Sequence, residues 1–366
     1  MGYILTNIPN FMVNDDYDLT NLNKTEKDWH TLKLIGHNSG NCMFWESTKK
    51  IIQNQTSCEL LHYRTFNENP DKYINKIESV VLVLANNICS VSYTQLIQLY
   101  GSAIKNLNCK KYLFSIGAQN KTLDMRKFTE QEIVAYNEFL PNFEYVYLRG
   151  QYTHDLLKYN DIPLNNVEVV GCPSILLKPI DTDDIKEKFR KLKNKSNDEI
   201  KVGINFPYPN QHRNLFNSFL NIMDDKDIFT LAVDGFDWYD FINSDKKIGY
   251  KNADKLEKNK DNFIFSYNVF KTIDFFAKKT DFMFGTRIHG TILGLCAGLP
   301  SMCIAIDSRT YELCEHMNIP YINCVGGSID FKNKNELIEI FKNNFDASKF
   351  DSLKKTIHNN KNLYNI

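Results

Sequence analysis

Short apolar runs that end in glycine or asparagine recur along the chain, each followed by a segment whose apolar residues fall three or four apart. Leu32-Lys33-Leu34-Ile35 reads as a strand running into Gly36-His37-Asn38-Ser39-Gly40-Asn41, and Phe44, Thr48, Ile51 and Ile52 then keep helical spacing. Ser79 to Ala85 reads as a buried strand before a helix over Val91 to Leu107, with Leu96, Tyr100, Ala103, Ile104 and Leu107 on one face. Lys111 to Ile116 ends in Gly117-Ala118-Gln119-Asn120, after which Thr129 and Glu132 have the spacing of a capping box. Tyr145 to Leu148 leads through Arg149-Gly150 into a helix over Tyr152 to Tyr159, and Val167 to Val170 ends in Gly171-Cys172-Pro173-Ser174. Residues 1–30 carry little periodicity and are expected to form a peripheral arm.

Asp181 to Glu199 interrupts this rhythm: it is Lys-rich, and its only apolar stripe is Ile185, Phe189 and Leu192. We expect a linker there, with Asp181-Thr182-Asp183 a helix cap rather than a metal-holding pair, since no strand precedes it. A second series follows. Lys201 to Phe206, Ile228 to Val233, Phe263 to Phe265, Phe282 to Phe284 and Met302 to Ile306 read as strands. Between them lie a helix carrying Leu215, Phe216, Phe219, Leu220 and Met223, one over Val269 to Lys279 and one over Thr291 to Gly298. Strands alternating with helices mean parallel sheets covered on both faces. The expected fold class is α/β, with two Rossmann-like doubly wound domains facing across a cleft in a GT-B-like arrangement. The expected boundaries are 1–180, a linker at 181–199, 200–330, and C-terminal helices over 331–366.

Composition narrows the function classes. The 366 residues contain 44 Lys+Arg and 44 Asp+Glu, so no net charge favours a polyanion, and nucleic acid is not an expected partner. Nine cysteines, none in a Cys-x-x-Cys pair, read as reduced thiols. No basic-then-apolar leader and no run of about 18 apolar residues occurs, so a cytoplasmic location is expected. The histidines and cysteines lack ligand spacing, and no metal site is expected.

Candidate chemistry gathers at the strand ends. Phe282 to Phe284 stops at Gly285, presents Arg287 and His289 two residues apart, and opens a helix at Gly290. A helix start with an adjacent guanidinium suits phosphate or carboxylate, and a histidine in the same turn supplies a proton near neutral pH. Gly40, Asn41, Gln119, Arg149, Asn205, Asp307 and Arg309 lie at other strand ends, which share one side of each sheet in a doubly wound fold. Blander readings stand beside these. Asn41 could cap the first helix, Arg149 could form an ion pair, and Arg309 and Glu312 could pair with each other at a helix start. His37, His154, His212 and His316 have no partner constellation. Aromatic residues in Pro207 to Asn214 and Phe236 to Tyr239 could stack on sugar rings.

Phe284-Gly285-Thr286-Arg287-Ile288-His289-Gly290, with Ala297-Gly298-Leu299-Pro300 and Asp307-Ser308-Arg309-Thr310-Tyr311-Glu312-Leu313, resembles the signature of the polysaccharide pyruvyl transferase family. Asn38-Ser39-Gly40-Asn41, Arg149-Gly150 and Gly171-Cys172-Pro173-Ser174 match in the same order, so the resemblance covers roughly residues 32–325. It implies a two-lobed transferase using phosphoenolpyruvate as donor substrate, with no further cofactor and a sugar or lipid-linked glycan as acceptor. It leaves room for peripheral association with membrane glycan-assembly machinery. It implies that Arg287 and His289 grip the donor, with Arg149 as a second anion ligand. From the chemistry such a donor needs, His289 is expected as a general acid or phosphate ligand and Glu312 as the base for the acceptor hydroxyl. Asn41 departs from the Asp common at that position, and an amide cannot act as a base. The rival readings are a nucleotide-sugar glycosyltransferase of the same shape and a non-catalytic carbohydrate-binding relative.

Overall fold

The computed structural model describes residues 2–13, 38–88, 93–206, 213–232, 253–264 and 268–364. The expected strand Leu32 to Ile35 and the loop Phe236 to Tyr239 lie outside them, as does Pro207 to Asn214 except for Arg213 and Asn214. Among the described residues the chain builds two six-stranded sheets, and every pairing is parallel. The N-terminal sheet contains β1 (Tyr3–Thr6), β2 (Glu59–His62), β3 (Ile77–Val83), β4 (Lys110–Ile116), β5 (Tyr145–Leu148) and β6 (Val167–Val169). The C-terminal sheet contains β7 (Val202–Asn205), β8 (Ile228–Leu231), β9 (Phe263–Ile264), β10 (Phe282–Gly285), β11 (Ser301–Ala305) and β12 (Tyr321–Asn323).

Their orders are β2-β1-β3-β4-β5-β6 and β12-β11-β10-β7-β8-β9. Read from the other edge, the second is the Rossmann order, and its direction reverses between β7 and β10. In the first sheet the reversal falls between β1 and β3. These are the two GT-B-like, doubly wound lobes expected from the sequence. The arm expected over residues 1–30 is corrected here. Tyr3–Thr6 is an interior strand paired with both β2 and β3, and Ile4 and Leu5 are buried on opposite faces. A four-residue strand offers too little periodicity to stand out.

Alternation along β3 covers both faces of the first sheet. Val80 and Leu82 join one core, while Val81 and Val83 join a second that runs through Phe44, Cys172 and Ile175 into the C-terminal lobe. The lobes therefore share one apolar core. In the linker, Thr182–Asn194 is a helix whose Ile185, Phe189 and Leu192 are buried, and Asp181 accepts hydrogen bonds from the Asp183 and Asp184 amides as its cap. The capping box at Thr129 and Glu132 is formed. The last helix, Lys349–Leu363, returns to the first lobe, where the Tyr147 hydroxyl donates to the Leu363 carbonyl at 2.9 Å. Among the described residues no helix is long and apolar enough to cross a membrane.

Candidate active site

The turn after β10 is built on Asn205, the last residue of β7. Its carbonyl accepts the Thr286 amide at 2.9 Å and its side-chain Oδ1 accepts the Arg287 amide at 2.7 Å. Glycine is required on both sides. A Cβ at Gly285 would lie 1.6 Å from the Asn205 carbonyl oxygen, and one at Gly290 would lie 2.5 Å from the Asn205 side chain. Asn205, expected to touch substrate, is instead wholly buried beneath the turn and fixes its shape. Arg287 then becomes the N-cap of the helix Ile288–Cys296, three residues earlier than the helix start expected from the sequence, and His289 falls in the first turn.

A cavity of about 400 Å³ lies over the reversal point of the first sheet, within the range of small-ligand sites. Asn7 seals the split between β1 and β3, donating to the Val83 carbonyl and accepting its amide, both at 2.8 Å. The cavity wall brings together Asn41, Arg149, His289 and Arg309 from the expected set, whereas Arg287 is not part of the wall. Asn41 is the first residue of the helix Asn41–Gln55; the N-cap is Gly40, so Asn41 is not the cap. Gly40 gives His289 room, since a Cβ there would lie 3.2 Å from His289 Cβ and 3.3 Å from Nδ1. The His289 ring rests against Phe44 at 5.5 Å, and its Nε2 is 3.7 Å from Cys172 Sγ.

Arg149 is 1% exposed. Its Nε donates to the Ser115 carbonyl at 2.7 Å and to Ser115 Oγ at 3.1 Å, and Nη1 donates to Asn86 Oδ1 at 3.1 Å. Its Nη2 is buried with no hydrogen-bond partner. Ser115 reaches Arg149 because β4 is irregular against β5 between Leu113 and Ile116, and Ser115 sits at φ 63, a left-handed conformation unfavourable for serine. From Arg149 a chain of contacts crosses the lobes. Asn86 Nδ2 donates to Gln119 Oε1 at 2.8 Å, Gln119 Nε2 donates to Asp307 Oδ2 at 2.9 Å, and that oxygen lies 3.4 Å from Arg309 Nη2. Asp307 Oδ1 meanwhile accepts the Thr310 amide at 2.8 Å as the cap of the helix Ser308–Met317. Gln119 and Asp307, expected as substrate contacts, are thus engaged in holding the two guanidinium groups.

Three arginines and a histidine are crowded here with little opposing charge. Burial pushes the Arg287 pKa down to about 9, with Arg309 adding to the fall and Asp307 opposing it. Burial also lowers Arg149. His289 falls well below the usual imidazole value through burial and then Arg149, Arg309 and Arg287. The site therefore holds a neutral imidazole among guanidinium groups. No carboxylate lines the cavity among the described residues.

Glu312 is the clearest correction. Its Oε1 accepts from the Thr153 hydroxyl at 2.7 Å and its Oε2 from the Thr153 amide at 2.8 Å. It is 2% exposed and lies off the cavity wall, so it cannot serve as a base there. Burial pushes its pKa up to about 8 against the pull of Thr153 and Arg149. It does not pair with Arg309, whose partner is Asp307. It pins the second lobe to the first helix turn of Gln151–Tyr159, beside Ser308, which exchanges hydrogen bonds with the Asn120 backbone at 2.8 and 3.0 Å.

Sequence reasoning missed Asn86, Ser115 and the far wall of the cavity, made of His62, Tyr63, Arg64, Tyr93 and Tyr100. Asn86-Asn87, separated from the end of β3 by Leu84 and Ala85, was a findable strand-end signal; His62 was not, because β2 is short.

The profile of the polysaccharide pyruvyl transferase family matches residues 38–308, most of the chain. No match is found among curated proteins. Among solved structures, Anabaena HepE in complex with UDP and glucose shares 10% identity at a TM-score of 0.46, covering 100% of this chain and 96% of that one. S. aureus MnaA with UDP shares 12% at a TM-score of 0.47, covering 100% and 93%. Methanocaldococcus jannaschii UDP-GlcNAc 2-epimerase shares 10% at 0.40, covering 98% and 99%. These likenesses are too distant to carry a ligand or an activity across.

Proposed function

The chain belongs to the polysaccharide pyruvyl transferase family, and from that premise we propose that it transfers the pyruvyl group of phosphoenolpyruvate to a sugar of a surface polysaccharide or its precursor. The product is a cyclic ketal, and phosphate is released. The observation that carries the donor is the buried, under-neutralised pair Arg149 and Arg309 on the wall beside His289, with Arg149 Nη2 lacking an acceptor. A small skeleton bearing both phosphate and carboxylate meets that need, and each hydrogen bond to a charged group is worth roughly 1.5–3 kcal/mol. Arg287 adds its field from behind the wall.

The first sugar hydroxyl adds to the carbon bearing phosphate while the neighbouring methylene takes a proton and becomes methyl. The second hydroxyl then displaces phosphate and closes the ring. His289 is the proton donor to the methylene or to the departing phosphate. Burial first and the arginine field second keep it neutral, and a bound polyanion offsets the arginine share. With Glu312 removed from consideration, the donor phosphate itself is the natural acceptor of the hydroxyl protons. Asn41 orients a hydroxyl as a neutral amide. The acceptor ring faces the far wall, where Tyr63 and Tyr93 offer flat surfaces.

Phosphate release from phosphoenolpyruvate, measured with and without glycan acceptor, tests this together with mass spectrometry of the product. Release only with acceptor and the mass gain of a pyruvate ketal are expected. Tight binding of a nucleotide sugar with no phosphate release would overturn the proposal in favour of a glycosyltransferase.

A further inference from the structure

Cys172 is fully buried, and its sulfur lies between two polar groups. Ser174 Oγ donates to it from 3.1 Å, and His289 Nε2 stands 3.7 Å away. The backbone around it is tightly held. Gly171 takes φ +94, a region that favours glycine, and its carbonyl accepts from the Tyr364 hydroxyl at 3.3 Å. The Ser47 hydroxyl donates to the Pro173 carbonyl, fixing the next residue to the helix Asn41–Gln55. Sulfur, ring and first-lobe helix are thus set by contacts from three segments.

The direction of these bonds has a chemical consequence. The sulfur takes the Ser174 proton, so the thiol's own proton is free to point at the lone pair of Nε2. A neutral imidazole that accepts at Nε2 carries its hydrogen on Nδ1. Nδ1 is on the edge beside Gly40 and has no hydrogen-bond partner among the described residues. We infer that Cys172 is a positioning residue that fixes His289 as the Nδ1–H tautomer, which leaves the proton-bearing edge on the side of Gly40 and Asn38. The inference rests on the reading of His289 as the donor-facing group. When the ring takes a second proton it does so at Nε2, and the thiol rotates so that its sulfur accepts.

The test is ¹⁵N NMR of the full chain labelled at histidine, with His289→Ala used to assign the ring signals. Wild type should show one neutral ring protonated at Nδ1. Cys172→Ala should shift that ring to a tautomer mixture, and Cys172→Ser should restore it. In turnover, Cys172→Ala should lower kcat on the order of tenfold with KM for phosphoenolpyruvate little changed, and should move the pH profile; Cys172→Ser should recover most of the loss. A wild-type ring protonated at Nε2, or identical ring shifts in Cys172→Ala, overturns the assignment. The NMR readout needs no substrate, so failure of the phosphoenolpyruvate reading would show separately, as absent turnover in every form.

Discussion

Two groups of buried charged side chains lie along the seam between the lobes, and they differ in one respect: whether their hydrogen bonds are complete. Glu312 has a donor on each oxygen, both from Thr153. Across the seam Arg149 keeps a buried Nη2 without a partner, and burial, with the arginines adding to it, depresses the imidazole beside them. Low dielectric strengthens a satisfied contact and penalises an unsatisfied one. The finished group therefore acts as a clasp, and the unfinished one is where the proposed donor would supply the acceptor. Sequence position does not separate them, since Arg309 and Glu312 are three residues apart on one helix.

Substitutions on each side should separate the two roles. His289→Ala should cut turnover by about a hundredfold to ten-thousandfold, the range for a lost acid–base group. It should also abolish proton uptake on donor binding, measured by calorimetry in buffers of different ionisation enthalpy. The sign follows from the depressed pKa: the free imidazole is neutral, gains a proton as the donor cancels the arginine field, and so makes this share of donor affinity rise as pH falls. Uptake equal to wild type in the variant would place the proton elsewhere.

Arg309→Met should weaken phosphoenolpyruvate binding by about tenfold to a hundredfold, the equivalent of one charged hydrogen bond. Thermal stability should fall only modestly, because Asp307 loses its guanidinium neighbour but keeps donors from Gln119 and the Thr310 amide. A marked loss of stability with intact affinity would make Arg309 part of the clasp.

Glu312→Ala should do the reverse, lowering unfolding free energy by about 2–3 kcal/mol through stranded Thr153 donors, with donor affinity little changed. Denaturant melts beside binding titrations read both. The smallest effect concerns pH. The Glu312 pKa is raised from 4.5 to about 8 on folding, so its contribution is complete below the unfolded value and is lost as pH rises through about 8. In Glu312→Gln the amide accepts from the Thr153 amide and donates to its hydroxyl, mimicking the protonated acid. Melts from pH 5 to 8 should therefore show a flatter slope than wild type; equal slopes would mean that Glu312 is ionised throughout.

Much of the architecture was legible in the sequence because buried parallel strands read as apolar runs and covering helices as spaced stripes. β3, β4, β7 and β10 were found this way, and the capping box at Thr129 fixed one helix start to the residue. β1, β2 and β12 were missed: ELLH and YIN hold only two adjacent apolar residues, and YILT is followed by no helical stripe to mark it as a strand. The site was legible as a set of strand ends but not as a set of roles. Asn205, Gln119 and Asp307 were found as polar residues in the right place, yet Asn205 holds the backbone of the Arg287 turn and the other two hold side chains rather than face the cavity.

The sequence alone determined that the chain forms two parallel α/β units and that Arg287 and His289 stand at a helix start, because periodicity and turn chemistry are local properties. Which polar groups remain incomplete was decided only by the tertiary structure. That depends on partners far apart in the chain: Asn86 and Ser115 reach Arg149, Thr153 closes on Glu312, and Cys172 faces His289 across 117 positions. A hydrogen bond has a fixed reach and a fixed number of places, so only the folded chain can show which of them a ligand has still to fill.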